Sequence, residues 1–479
     1  MDGASRNVPG DDPVKKVRTE LVMPRRQSLG ERISTRMLKF TRQDKAKSRQ
    51  RIRKPEDGSD KLEDIRIEAL NEYVELLHEG EVSRAIYGLR AIRKLLSKII
   101  EAPIQQVIDA QVIPMLVEYL GHDNEEAQLE ASWCLTNITS GTSPQTQVVV
   151  DAGGLEWFVQ HVQSPNSDIR ELAIWALGNI SADSSALRQA VINTGVIPLM
   201  VERLVPSEKK SLLRIAAWTM LNICNGRPRL LADVSRVIAP SLVQLMHSDD
   251  DELIANASLA LSHILRDVLD IVTRVKLIPR MVELLQNPTR SVILGNLQIA
   301  GKLLSMAPDF AEPMQKADIV EALHPLLRSQ WPDVRKEACW VLSGIASGPV
   351  PVIQSVIDEN VFGTLVTMMS REESVIKLEI CWVFVNATVS GSKGQRKILL
   401  RLNCIQLLLD ELRTEYLPDT LISGILHAFI NILLDGRDKT PNRYAELFTN
   451  VDFSPVLESI DRNNPAHQLT EQIRLLCRV

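Results

Sequence analysis

The sequence predicts an all-α protein built from stacked helical repeats, and two observations support that prediction. First, a tryptophan-centred phrase recurs along the chain, with tryptophans at 133, 175, 218, 340 and 382. The first two steps are 42 and 43 residues, the last is 42, and the gap of 122 residues is close to three periods. Second, apolar residues make up 45% of the 479 residues but aromatic ones only 4%. Small and aliphatic side chains must therefore fill the core, which favours helix-on-helix packing.

Each period is predicted to hold a short helix, a medium helix and a longer one. Phrases such as EASWCLTNITSG and ELAIWALGNISAD supply the long helix, and QVIPMLVEYL and GVIPLMVERL, with apolar residues at i, i+3 and i+4, supply the medium one. Shorter starts such as ALRQAVINTG precede them, and glycines at the junctions end helices. Three helices in roughly 40–47 residues are typical of armadillo repeats. We therefore predict an armadillo-repeat right-handed superhelical solenoid with a long concave surface.

The N-terminal arm, residues 1–60, differs in composition from the rest of the chain. Residues 1–54 contain 16 Lys and Arg against six Asp and Glu. Since the whole chain carries −5, residues 55–479 carry −15, so a basic arm is attached to an acidic body. Few large apolar residues occur between 13 and 54, so we expect a flexible arm that is largely disordered alone. Residues 61–479 would then form about nine to ten repeats.

Several function classes lack their sequence signals. The six cysteines form no CxxC pair and no disulfide framework, which argues against zinc and favours a reducing compartment. No apolar stretch predicts a membrane span or a secretory signal. No P-loop, HExxH, nucleophile elbow or dinucleotide fingerprint occurs, so we expect no enzyme, cofactor or metal site. An acidic body would repel phosphates, which disfavours a nucleic-acid partner.

In four of the tryptophan phrases, an asparagine follows the tryptophan by four residues and so shares its helix face. The pairs are Trp133 and Asn137, Trp175 and Asn179, Trp218 and Asn222, and Trp382 and Asn386. One interpretation makes each indole a core anchor and each amide a helix-end cap. A binding groove is favoured, because an unpaired buried amide costs roughly 1–3 kcal/mol and would recur in unit after unit.

The chemistry of the indole and amide groups indicates which kind of ligand would bind. An asparagine can pair with the N–H and the C=O of one residue of an extended peptide. Indoles accept long aliphatic stems and cationic heads, at roughly 0.5–2 kcal/mol per site. Nearby acids would hold the heads, and the candidates are Glu171, Asp183, Glu337 and Glu379. The predicted ligand is an extended peptide rich in Lys and Arg.

These residues give the chain a clear resemblance to the importin-α family. The Trp–Asn pairs resemble that family's in position and number, and ASWCLTNITSGTSPQT and WALGNISAD are similar nearly residue for residue. The resemblance covers most of the chain. It implies a nuclear import adaptor that shuttles between cytoplasm and nucleus and binds the nuclear localisation signals of cargo proteins.

The resemblance also implies two binding sites for these signals. The major site, over the second to fourth repeats, would comprise Trp133, Asn137, Ser140, Gly141, Thr146, Trp175, Asn179, Asp183, Trp218 and Asn222. The minor site, over the seventh and eighth repeats, would comprise Glu337, Trp340, Ser343, Glu379, Trp382 and Asn386. The chain departs from the family pattern at Leu172, Asn225, Lys302 and Gly344, the last two in place of asparagines. We therefore expect monopartite signals to bind mainly at the major site.

The same resemblance implies that the arm binds importin-β and otherwise lies in its own groove as an autoinhibitor. Tethering gives it a roughly millimolar effective concentration. The residues expected to act are Arg25, Arg26, Arg51, Arg53 and Lys54, and Ser28 resembles a basic-directed phosphorylation site. The alternative for the arm is a solvated tail that binds RNA or membranes loosely.

The C-terminal repeats lose the Trp–Asn pattern. His427 occupies the tryptophan register, with Asn431 four residues later. The resemblance implies that this region contacts an export receptor for recycling, although plain capping of the solenoid is equally compatible with the sequence. For the whole chain, the alternative that stays open is an armadillo scaffold for other protein partners.

Overall fold

The computed structural model describes residues 65–97, 102–205, 207–274, 277–414, 417–436, 442, 444–449, 454–460 and 466–477. Within these ranges the chain forms helices and turns and no strand, which confirms the all-α prediction. No helix in the described ranges is both long and apolar enough to cross a membrane. The basic arm, with Ser28 and its five predicted contact residues, lies outside the described residues. Two compact units divide the described chain, residues 65–274 and 277–477.

The first unit contains fourteen of the described α-helices and two 3-10 turns, Ile67–Ala69 and Leu265–Asp267. Its helices are α1 (Leu70–His78), α2 (Val82–Leu96), α3 (Ile104–Asp109), α4 (Ile113–Leu120), α5 (Glu125–Ile138), α6 (Ser143–Asp151), α7 (Gly154–His161), α8 (Ser167–Asp183), α9 (Ser185–Asn193), α10 (Ile197–Val201), α11 (Lys210–Cys224), α12 (Ala232–Leu245), α13 (Asp251–Ile264) and α14 (Leu269–Arg274).

The second unit contains the other fourteen described α-helices and one 3-10 turn, Pro308–Phe310. Its helices are α15 (Leu277–Leu284), α16 (Arg290–Met306), α17 (Ala311–Gln315), α18 (Ile319–Leu326), α19 (Pro332–Ile345), α20 (Val350–Asp358), α21 (Val361–Met369), α22 (Ser374–Ser390), α23 (Lys393–Arg401), α24 (Cys404–Leu412), α25 (Asp419–Asp435), α26 (Ala445–Thr449), α27 (Ser454–Ser459) and α28 (His467–Cys477).

The long helix of each repeat forms the spine of its unit. In the first unit α2, α5, α8, α11 and α13 pack in sequence, and in the second α16, α19, α22, α25 and α28 do the same. Four alanines at matching positions of the first spine, Ala131, Ala173, Ala216 and Ala257, have no exposed surface. Side chains this small let neighbouring helices approach closely, and aliphatic residues fill the remaining space. The predicted role of Ala, Leu, Ile and Val in the packing is thus confirmed.

A left-handed residue separates the short helix from the medium helix in six repeats. The six are Gln111, Gly153, Gly195, Asp318, Asn360 and Asn403, with φ between 51° and 86°. Only two of the six are glycines. The sequence therefore predicted where the junctions lie, but glycine is not the residue at most of them. Asn and Asp tolerate this conformation better than other side chains, which accounts for three of the remaining four.

The region after α11 departs from the predicted three-helix pattern. A single helix, α12, replaces the separate short and medium helices, and Pro240 lies inside it. No described residue between 225 and 245 has a positive φ, so the break found in the other repeats is missing. The sequence at the corresponding point, VIAPSL, has no Gly, Asn or Asp to adopt the left-handed conformation, and the chain therefore continues as a helix.

Candidate functional site

The Trp–Asn pairs of the first unit lie on three neighbouring spine helices. The pair at 133 and 137 belongs to α5, the pair at 175 and 179 to α8, and the pair at 218 and 222 to α11. Because these helices pack side by side at one register, the pairs form a row, which we call the first ladder. Its edges are partly accessible, since Trp133 and Trp218 are half-buried, whereas Trp175 is 8% exposed.

The ladder asparagines donate their amide hydrogens to the preceding repeat. Nδ2 of Asn137 donates to Oγ of Ser97 at 3.1 Å. Nδ2 of Asn179 donates to the carbonyl of Thr136 at 3.2 Å and to Oγ1 of Thr139 at 3.3 Å. Nδ2 of Asn222 continues the series with a bond to the carbonyl of Gly178 at 3.2 Å. Each amide therefore links two repeats through its nitrogen: Asn179 makes two such bonds, whereas Asn137 and Asn222 make one each and keep a second N–H.

The middle of the first ladder contains two buried oxygen atoms that accept no hydrogen bond from the described residues. One is Oδ1 of Asn179, whose residue has no exposed surface, and the other is Oδ2 of Asp183. The two residues are one turn apart on α8 and so share a face. An unsatisfied buried acceptor costs about 1–3 kcal/mol, and native proteins seldom keep two together without a partner. Asp183 is half-buried, so a ligand can approach its carboxylate, whereas Asn179 has no exposed surface for a ligand to contact.

Three further predicted residues, Ser140, Gly141 and Thr146, lie where α5 leads into α6. Oγ of Ser140 donates to the carbonyl of Asn137 at 2.6 Å, and Oγ1 of Thr146 donates to the carbonyl of Thr139 at 3.1 Å. The hydroxyl groups thus fix the end of α5, and Thr146 has no exposed surface. Helix α6 also contacts α8, the helix that carries Asp183. The predicted pocket residues therefore belong to two adjoining repeats.

Glycines on the preceding spine helix lie against one indole of each row of Trp–Asn positions. A Cβ atom on Gly178 would overlap the six-membered ring of Trp218 and the hydroxyl of Thr219, so part of the indole lies against the α8 backbone. In the second unit, a Cβ atom on Gly301 would overlap the six-membered ring of Trp340. Part of each of these indoles is thus covered by the preceding spine helix and is not available to a ligand.

The first indole already has a cation beside it. The guanidinium carbon of Arg93 lies 4.5 Å from the ring centroid of Trp133, and the same arginine pairs with buried Glu130. This contact shows that a ladder indole accepts a cation in this protein.

Glu171 and Leu172, near the start of α8, form hydrogen bonds with the neighbouring repeats. Glu171 accepts a hydrogen bond from Oγ of Ser211 at 2.7 Å, and burial raises its pKa despite that bond. Leu172, which departs from the family pattern, is 5% exposed, and its carbonyl accepts a bond from Oγ1 of Thr136 at 3.2 Å. Of the predicted acids near the first ladder, Asp183 therefore has the freer carboxylate.

The second unit repeats the arrangement on α19 and α22, and we call that row the second ladder. Trp340 is 7% exposed, Trp382 8% and Asn386 4%, and Nδ2 of Asn386 donates to the carbonyl of Ser343 at 2.8 Å. Glu337 is 5% exposed and Glu379 is half-buried. Gly344 occupies the asparagine position of α19, so this helix has no corresponding amide to link it to α16.

Lys302 and the C-terminal register have different surroundings. Lys302 is half-buried on α16 and directly follows Gly301, which lies against the ring of Trp340. On α25, Nδ2 of Asn431 donates to the carbonyl of His427 at 2.9 Å, within its own helix. Unlike the ladder asparagines, Asn431 therefore makes no described amide bond to the preceding repeat.

Sequence reasoning missed Arg188, a buried cation that supports the end of the first ladder. It is 2% exposed, and it donates to the carbonyl of Ile223 at 2.7 Å and to that of Pro228. These bonds hold the chain directly after Asn222, and burial lowers the pKa of the guanidinium. Gly226 signals the contact, because a side chain there would overlap Arg188. No local pattern could have identified it, since its partners lie more than 30 residues away.

Comparison with known proteins identifies both the repeat and its relatives. The Armadillo/beta-catenin-like repeat family matches residues 101–140, 142–182 and 184–225. Importin subunit alpha-4 of Arabidopsis thaliana is 32% identical over 426 residues, which span 86% of this chain and 79% of that protein. Importin subunit alpha-1a of rice is 35% identical over 315 residues, 65% of this chain and 60% of that protein. Importin subunit alpha-1 of Schizosaccharomyces pombe is 41% identical over 238 residues, 49% of this chain and 44% of that protein.

A solved structure supports the fold alone. The crystal structure of an engineered protein from the Northeast Structural Genomics Consortium aligns with a TM-score of 0.75 at 22% identity. The alignment covers 86% of this chain and 99% of the engineered protein. The helical stack described above is therefore a known arrangement.

Proposed function

The chain belongs to the importin-α family, and on that premise we propose that it is a nuclear import adaptor that binds Lys/Arg-rich localisation signals along the first ladder. Its relatives are importin subunits rather than enzymes, so the ladder serves recognition and not catalysis. In this proposal the chain shuttles between cytoplasm and nucleus with its cargo, and the basic arm connects it to importin-β.

The observation that carries the proposal is the carboxylate of half-buried Asp183 on α8, one oxygen of which accepts no hydrogen bond from a described residue. This carboxylate offers a negative charge to a lysine ammonium. The half-buried indole of Trp218 lies on the next helix, where an aliphatic stem can lie against it. A cationic side chain has the shape and charge that these two groups require together.

The structure changes what the asparagines are expected to do. The sequence suggested that each amide pairs with both backbone groups of a peptide residue, but the nitrogen already bonds to the preceding repeat. We propose that the peptide contacts the amide groups of Asn137 and Asn222, which keep a small exposed surface, and not that of Asn179, which has none. The hydrogen bonds to the preceding repeat hold successive indoles at a fixed separation, so the asparagines also set the spacing of the row.

The second ladder is proposed as a weaker site for the same kind of ligand. It keeps Trp340, Trp382 and Asn386, but it has Gly344 in place of one amide. Half-buried Lys302 on α16 adds a positive charge in the same unit. Both differences reduce the attraction for a cationic peptide, in line with the expectation that monopartite signals bind mainly at the first ladder.

Autoinhibition by the arm and recycling by an export receptor extend this proposal. The arm carries a net charge of +10 and the rest of the chain −15, so the two attract each other. We propose that the run at 51–54 competes with cargo for the first ladder, and that the C-terminal repeats contact the export receptor.

Fluorescence anisotropy with a labelled Lys-rich peptide and a matched acidic peptide tests the function. The full chain should bind the first and not the second, and Trp218→Ala should weaken binding at least tenfold. Trp157→Ala is the matched control, because Trp157 is a half-buried indole on α7 outside the ladder. Preferred binding of the acidic peptide, or equal losses in the two variants, would instead support an armadillo scaffold for other partners.

A further inference from the structure

A polar cleft of about 580 Å³ lies in the second unit, away from the second ladder. Its lining comes from residues just after α18, from Arg335 on α19, and from α21 with the residues that flank it on both sides. Arg335 and the ladder residue Trp340 are five positions apart on α19, which separates them by roughly 140° around the helix axis. The cleft and the ladder therefore use different faces of this helix, and a peptide on one does not occupy the other.

Two arginines give the cleft its charge. Arg328 and Arg371 are both exposed, and neither forms an ion pair with an acidic residue of the described chain. The third arginine, Arg335, is already neutralised, because Nε and Nη2 donate to Glu372 at 2.8 Å each. The Arg335–Glu372 ion pair carries no net charge, so the net positive charge of the cleft comes from Arg328 and Arg371. Two such charges are notable in a body whose net charge is −15.

The floor of the cleft is polar and is held by its own hydrogen bonds. Gly363, Thr364 and Thr367 lie on one side of α21, and Oγ1 of Thr364 bonds with Nε2 of His324 at 2.9 Å and accepts from Arg328 at 3.5 Å. Oγ1 of Thr367 donates to the carbonyl of Gly363 at 3.1 Å. Asn360, the N-cap of this nine-residue helix, makes no side-chain cap hydrogen bond, and its side chain lies against Gly363. The positive charge of the cleft therefore comes from the arginines above this floor.

We propose that this cleft binds a phosphorylated segment of a partner protein. A phosphate group can accept paired hydrogen bonds from both arginines, and it carries a charge of about −1.5 to −2 at pH 7. A carboxylate carries a single charge and gains little from exposed arginines, so an unmodified acidic segment is a poorer ligand. The volume exceeds the needs of a free phosphate ion and suits a phosphorylated side chain with its neighbours. The site is independent of the proposed ladder function.

The probe is a fluorescein-labelled degenerate peptide with a central phosphoserine, and its counterpart with serine. In anisotropy titrations of the full chain, the phosphopeptide should bind at least tenfold more tightly than the serine peptide. The double variant Arg328→Gln with Arg371→Gln should lose at least tenfold in affinity for the phosphopeptide. The control double variant, Arg401→Gln with Arg413→Gln, removes two exposed arginines of the same unit outside the cleft and should bind as the unaltered chain does.

Each other outcome counts against the site. Equal losses in the two double variants would indicate general charge attraction, and no loss in the first would place binding elsewhere, for example on the basic arm. Vesicles containing a phosphoinositide provide the last comparison. If they bind through Arg328 and Arg371 while the phosphopeptide does not, the cleft recognises a lipid headgroup and the proposal is wrong. Trp340→Ala should leave phosphopeptide affinity unchanged, whatever it does to Lys-rich peptides.

Discussion

Replacing Asp183 by alanine should stabilise the protein and weaken its binding of Lys-rich peptides. Asp183 is the last residue of α8, where the helix dipole disfavours a negative charge by about 0.3–1 kcal/mol. Its buried Oδ2 accepts no hydrogen bond from a described residue, which adds a cost of about 1–3 kcal/mol. Alanine removes both costs and gives up some packing. We therefore expect Asp183→Ala to raise the free energy of unfolding by about 1 kcal/mol.

The effect on binding should have the opposite sign. A charge-assisted hydrogen bond contributes about 1.5–3 kcal/mol, which corresponds to a loss of about 10- to 150-fold in peptide affinity when the carboxylate is removed. Asp183→Asn keeps the shape of the side chain without its charge, so its loss of affinity isolates the charge. Urea unfolding gives the stability of each variant, and anisotropy with a labelled Lys-rich peptide gives the affinity.

The chain offers a matched control for this substitution. Asp151 is also the last residue of its helix, α6, but it is exposed and accepts a hydrogen bond from Nε2 of Gln147 at 2.8 Å. Asp151→Ala should change stability by no more than about 0.5 kcal/mol and leave peptide affinity unaltered. The reasoning is refuted if Asp183→Ala destabilises the protein and binds peptide normally, because the carboxylate would then be a structural group.

Three further predictions concern the arm, the ladder and pH. Alanine at the three cations of residues 51–54 should raise the affinity of the full chain for a Lys-rich peptide about tenfold in anisotropy, because a tethered competitor is removed; no change would exclude autoinhibition by this run. Gly178→Ala should displace the indole of Trp218, lowering the free energy of unfolding by about 1–2 kcal/mol and weakening peptide binding, whereas an unaltered affinity would show that this indole does not contact the ligand. Burial lowers the pKa of His161 below 6.5, so the unfolded state binds more protons and stability should fall as the pH drops from about 7 to about 5. Urea unfolding of His161→Gln should show a smaller fall, and an identical fall would assign it to other groups.

The repeat architecture was predictable because it depends on local sequence. The 42-residue spacing of the tryptophan phrases and the i, i+3, i+4 pattern of apolar residues predict three helices per repeat, and the structure confirms them over the described residues. The exception at α12 also has a local cause, the lack of a residue suited to a left-handed junction. Membership of a repeat family follows from the same regularity.

The contacts inside the first ladder were not predictable from the sequence. The pattern indicated that Trp175 and Asn179 share a face, but it could not show that the amide nitrogen bonds to Thr136 and Thr139 of the preceding repeat. The arginine beside Trp133 likewise comes from 40 residues earlier in the chain. Such bonds depend on how neighbouring repeats stack, and a sequence pattern specifies only the face on which each residue lies.

A co-crystal structure of the full chain with a monopartite Lys-rich peptide tests the central proposal most directly. We predict an extended peptide across α5, α8 and α11, with a lysine Nζ within hydrogen-bonding distance of the carboxylate of Asp183. A peptide bound more fully at the second ladder, or one that leaves this carboxylate unpaired, would contradict it.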